Sequence, residues 1–185
     1  MKSYIDVREY LSDLSTNSAP ALLPIQMIAD HRDAARATIE RMIKQEQLTG
    51  VTVGKGKFVD ARSLLILEEE ERTKVAKVRK YLEECGGAGV RSIFYDSVMG
   101  IIGLKTDIPY DRKIIGEILG DISKDTWNEA GILLSVIVHK KTSGKTRPGS
   151  GFFTLANELK CPGRNNEQRF IETQTTAVLK YYANR

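Results

Sequence analysis

A pattern of two short amphipathic helices, a polar turn and a β-rich run around glycines occurs twice in the 185 residues. It restricts the chain to small helical units that carry short hairpins. In the first copy, Ile5, Tyr10, Leu11 and Leu14 have helical spacing, and Asn17, Ser18 and Pro20 end that run. A second helix is predicted from Leu22 and Leu23, with Pro24 in its first turn, through Ile25, Ile28 and Ala29. From Asp33 onward, Ala35, Ile39, Met42 and Ile43 form one apolar stripe, with Arg36, Glu40, Lys44 and Gln47 on another face. Two β-rich runs, 51–53 and 57–59, then flank Gly54-Lys55-Gly56 as a hairpin with a basic tip.

Residues 64–82 read as a charged helix, with Glu68-Glu69-Glu70-Glu71 early and Lys74, Lys77, Arg79 and Lys80 late. That order suits the helix dipole, and a solvated connecting helix is expected. Gly86-Gly87-Ala88-Gly89 lacks a preceding strand and a phosphate-binding lysine, so it reads as a helix stop and hinge. The expected organisation is 1–62, a connector 63–88, and a second unit 89–185. In that second unit, Ile93, Phe94, Val98, Ile101 and Ile102 predict one helix, and Ile114, Ile115, Ile118, Leu119 and Ile122 predict the next. Residues 132–139, rich in β-branched side chains, are expected to be the clearest strand. Residues 140–151 follow with Lys140, Lys141, Lys145 and Arg147, three glycines and no acid. Phe152, Phe153 and Trp127 are assigned to a core. Phe170, Ile171, Val178, Leu179 and Tyr182 predict a terminal helix, with Tyr181-Tyr182 as its anchor.

Composition narrows the function classes. Hydrophobic residues make up 41% and charged residues 28% of the chain, which argues against disorder and leaves enough apolar surface for a core. The longest apolar run, 132–138, is interrupted by Ser135 and is too short to cross a bilayer. Residues 1–13 show no signal-peptide core, so neither secretion nor membrane insertion is expected. The two cysteines, Cys85 and Cys161, build no disulfide framework and fit a reducing, cytoplasmic setting. Together with His31 and His139 they lack the paired spacings of a zinc site, so neither metal nor cofactor is expected. The net charge of +4 permits a polyanionic partner without requiring one.

The segment from Ile25 to Ala29, the helix from Arg36 to Ile43 and the hairpin 51–59 resemble a winged helix-turn-helix over about the first third of the chain. That resemblance implies double-stranded DNA as partner, the second helix in the major groove and the hairpin along the phosphates. Carried onto this sequence, it implies Arg32, Arg36, Thr38 and Arg41 near bases, Lys44 at the far end of the helix, and Lys55 and Lys57 on phosphates. Residues 1–60 carry eight basic and eight acidic side chains, so any positive surface there must come from spatial segregation. In the second unit, Tyr95 to Met99 and Asp111 to Leu119 weakly resemble the DNA-binding part of alkyltransferase-like proteins, which brings in Arg112 and Lys113. Those enzymes carry a Pro-Cys-His-Arg nucleophile motif. Here Ser135-Val136-Ile137-Val138-His139 contains no cysteine, and thiolate alkyl transfer is excluded. The acid-free loop adds Lys140, Lys141, Lys145 and Arg147 as phosphate neutralisers.

The expected fold is therefore α+β and mainly helical: a winged helix-turn-helix, a second helix-turn-helix with a hairpin, and a C-terminal helix. The expected function is non-catalytic DNA binding, as a transcriptional regulator or DNA-associated factor of a bacterial or phage system, with homodimerisation on a two-fold site as one arrangement. Two alternatives stand beside it. Asp96, Asp107, Asp111, Glu117 and Asp121 near a lysine-rich strand end could serve a magnesium-dependent nuclease. A protein-interaction adaptor would use the same units as docking surfaces.

Overall fold

The computed structural model describes residues 7–16, 21–53, 56–142 and 145–184. The fold is α+β and mainly helical, and it separates into two compact units, 1–72 and 73–185.

The first unit contains α1 (Val7–Ser15), β1 (Leu22–Pro24), α2 (Ile25–His31), α3 (Arg36–Lys44), β2 (Gly50–Val53) and β3 (Gly56–Asp60). Its sheet has the order β1-β3-β2 and is antiparallel throughout, with Leu23 opposite Val59 and Val51 opposite Phe58. Leu22 and Leu23 belong to this sheet and not to the second helix, which corrects the sequence reading. Pro24 explains the difference: it restricts the residue before it to extended backbone, and it precedes α2 as N-cap at φ −59°, ψ 138°. Between α2 and α3 the chain turns at Asp33, whose φ is +46°, and the amide of Ala34 donates back to the Ala29 carbonyl at 2.9 Å. Ile25, Ile28, Ala29, Ile39, Leu48 and Val59 close the core from both helices and the sheet. Each fully buried aliphatic side chain contributes about 1.5–3 kcal/mol relative to exposure.

Helix α4 (Ala61–Gly87) spans the division between Arg72 and Thr73, so the boundary falls inside the charged helix. Its first turns put Ala61 and Leu64 into the first core, and Val78 and Leu82 lie in the second. The glutamate run is only partly solvated. Glu68 takes His31 Nε2 at 2.7 Å, and three residues on, Glu71 takes Arg32 Nη2 at 2.7 Å, which fastens the end of α2 to α4. The glycine segment stops the helix as expected. Gly89 sits at φ +76°, while Val90 donates to the Cys85 carbonyl and Gly89 to that of Gly86, a Schellman closure.

The second unit continues with β4 (Ile93–Phe94), α5 (Tyr95–Ile101), α6 (Pro109–Ala130), β5 (Val138–Thr142), β6 (Lys145–Pro148), α7 (Ser150–Glu158) and α8 (Glu167–Ala183). The sheet order is β4-β5-β6; β4 runs parallel to β5, with Phe94 opposite His139, and β6 is antiparallel to it, with Arg147 opposite Lys140. Arg79 links α4 to α6 through Glu83 at 2.9 Å and Glu129 at 2.7 Å. These pairs hold its guanidinium charged well beyond the ordinary range.

The predicted strand 132–139 is overturned. Leu134–Ile137 form a 3-10 turn, and extended pairing begins only at Val138. Side chains take the places of a strand neighbour: Leu133 N–H donates to Gln174 Oε1 at 2.9 Å, Leu134 N–H to Thr126 Oγ1 at 3.3 Å, and Ser135 N–H to Ser123 Oγ at 3.0 Å. With its amides so satisfied, the apolar run can be buried without a ladder. Phe152 is buried on α7 and meets Phe153 edge-on at 5.2 Å, while Trp127 is half-buried against the same core. Cys161 is fully buried and Cys85 half-buried; both are free thiols. Among the described residues no helix is long and apolar enough to cross a membrane.

Candidate nucleic-acid interface

Burial of Ile39 and Met42 on one side of α3 turns Arg36, Arg41 and Lys44 to solvent, with Thr38 half-buried at the margin. Arg36 Nε pairs with Glu40 at 3.1 Å along the helix. Arg41 and Lys44 have no ion pair among the described residues, and their place in the last turn suits the helix dipole. Against this helix lies the β2–β3 hairpin. A cleft of about 230 Å³ between them is lined by Glu40 and Ile43 from the helix and by Gly50, Thr52, Lys57 and Phe58 from the strands. Lys57, opposite Thr52 in the hairpin, is exposed at this cleft. Lys55 lies outside the described residues. Arg32 does not join this set: it caps α2 and is held in its half-buried pair with Glu71.

The second unit gathers cations differently. Arg112 from α6 and Lys140 and Lys141 from β5 line a cavity of about 380 Å³, together with Phe94, Tyr95, Asp96, Met99, Thr106 and His139. Arg112 Nη1 donates to the Thr106 carbonyl at 2.6 Å. Lys140 Nζ stands 5.5 Å from the Tyr95 ring centre, and Lys141 Nζ stands 4.4 Å from that of Phe94. Both ammonium groups are steadied over aromatic faces. His139 is 8% exposed, and its Nε2 lies 3.1 Å from the Val136 carbonyl. Its Nδ1 is buried with no hydrogen-bond partner among the described residues. Burial pushes the imidazole below its ordinary pKa of 6.5, against the weaker opposite pull of the Val136 carbonyl. Burial likewise raises the Tyr95 phenol.

The other expected cations lie apart from this cavity. Lys113 pairs with Glu117 at 3.5 Å on α6. Arg147 pairs with Glu167 at 3.2 Å and lies against the Phe153 ring. Lys145 belongs to β6, but its side chain is outside the description. Sequence reasoning missed Phe94, Tyr95, Met99 and His139 as neighbours of the lysine pair. The one available signal was that the basic pair follows directly on a histidine that ends an apolar run.

The carboxylates considered for metal chemistry are engaged locally. Asp96 accepts from the Ser97 amide, Asp111 from the Lys105 amide at 2.8 Å, and Asp121 pairs with Lys124 at 3.6 Å. Asp107 is exposed. Among the described residues no group of three or more His, Cys, Asp or Glu is placed to hold a metal ion. Comparison with protein-family models, with curated proteins and with solved structures finds no match.

Proposed function

We propose that the protein binds double-stranded DNA without cleaving it, as a transcriptional regulator or DNA-associated factor, with the first unit acting as a winged helix-turn-helix. The observation that supports this reading is the exposed pair Arg41 and Lys44 on α3, together with Lys57 exposed on the hairpin that packs against this helix. In this arrangement α3 enters the major groove, Arg41 reaches a base edge, and Lys44 and Lys57 take phosphates. Arg32 contributes to folding instead, because its charge is satisfied within the unit by Glu71.

The test is fluorescence anisotropy of a labelled random duplex over a salt series, with the full chain. Lys44→Gln and Lys57→Gln should each flatten the slope of log affinity against log salt by about 0.9, the counterion share of one phosphate contact. Arg32→Gln should leave that slope unchanged. Arg41→Ala should narrow the gap between preferred and random sequences by about 1–3 kcal/mol. Absence of salt-dependent retention on duplex DNA would discard the reading. Chelator-sensitive nicking of supercoiled DNA in magnesium would replace it with the nuclease.

A further inference from the structure

The cavity of the second unit combines three features that the DNA reading does not use. First, a carbonyl can only accept, so His139 Nε2 carries the proton toward Val136, and Nδ1 is left as a lone pair with no donor among the described residues. That nitrogen is sealed from the cavity, so the imidazole serves as part of its wall and offers no hydrogen bond to a ligand. Second, Arg112, Lys140 and Lys141 line the same cavity against a single carboxylate, Asp96, which already accepts from the Ser97 amide. The bond from Arg112 to the Thr106 carbonyl orients its guanidinium and uses one nitrogen, leaving the other side of the fork for an oxyanion. Third, the volume of about 380 Å³ lies within the usual range for small-molecule sites, and aromatic side chains supply an apolar wall.

We propose that this cavity binds a small organic phosphate, its phosphate held by Arg112, Lys140 and Lys141 and its organic part set against the wall that Phe94 and Tyr95 supply. The cations are exposed and the histidine is buried, so the phosphate lies toward solvent and the organic part lies deeper. The assignment does not depend on DNA binding.

Calorimetric titration of the full chain in the absence of DNA tests it, with adenosine 5′-monophosphate and ribose 5-phosphate as the organic phosphates and inorganic phosphate and adenosine as fragments. At least one organic phosphate should saturate and bind more tightly than either fragment. Arg112→Gln and Lys141→Gln should each weaken it about tenfold or more, as expected for loss of a charge-assisted hydrogen bond. Both substitutions are at exposed positions, so folding should survive them. The NMR signals of the His139 ring in the wild-type chain should move on addition of the organic phosphate, because this residue lines the cavity. The proposal is overturned if neither organic phosphate saturates at millimolar concentration. It is equally overturned if inorganic phosphate binds as tightly, if the two variants bind unchanged, or if the His139 ring signals stay in place.

Discussion

Gly50 sets how closely the hairpin can approach α3, because a Cβ placed there would lie 2.5 Å from Ile43 Cγ2. That methyl branches from the stiff Cβ of isoleucine and cannot swing away as the end of a long side chain would. Gly50→Ala should therefore destabilise the first unit by about 1–3 kcal/mol, seen as a lower urea midpoint at constant slope. Pairing it with Ile43→Ala should return part of the loss as a coupling between the two sites; strict additivity would show that the clash is relieved elsewhere. His139 gives a pH-dependent prediction of defined sign. Its folded pKa lies below 6.5, so the unfolded chain binds the proton more readily, and stability rises with pH across the interval between the two values. The contribution is fully present above pH 6.5 and is lost as the pH falls through the folded value. Unfolding of the second unit, followed by Trp127 fluorescence, should shift accordingly, and His139→Gln should flatten that portion of the profile.

At the scale of elements, the 3-10 turn after α6 rests on side chains from α6 itself and from α8. Gln174→Ala would leave the buried Leu133 amide without its acceptor and should cost about 1–3 kcal/mol in urea unfolding. A change below about 0.5 kcal/mol, the size of an ordinary surface substitution, would show that the amide finds another partner. This turn also shows where sequence reading stops. Residues 132–139 are apolar and β-branched, and that composition marks burial equally for a strand and for an irregular segment. What decided between them were Ser123, Thr126 and Gln174, whose roles exist only after the chain has folded. The stripes of α3, α6 and α8 were legible because their periodicity is local. Helix α7 was not, since it offers only two turns after Pro148-Gly149 and its Phe152-Phe153 pair reads simply as apolar. Likewise the sequence flagged Lys140 and Lys141, but their meeting with Arg112 joins residues 28 positions apart or more and belongs to tertiary structure.

For the molecule as a whole, the mainly helical α+β class could be read from periodicity. The division into units lies within α4, inside the expected connector 63–88. A helix's surface pattern does not reveal which turns pack in which core, and here the change comes between Leu67 and Val75. The distribution of rare side chains then matters for experiment. The single tryptophan and both cysteines occur after residue 72, so indole fluorescence and thiol chemistry sense the second unit alone. Cys161 is sealed in the core against which Trp127 rests, and burial also holds its thiol protonated. Alkylation of Cys161 should thus wait for the same opening event that changes the indole emission, while Cys85, half-exposed, reacts first. The sulfur acts as a chemical timer for that event, and a mass-spectrometric count of modified chains that ran ahead of the fluorescence change would reveal a breach confined to the neighbourhood of α7.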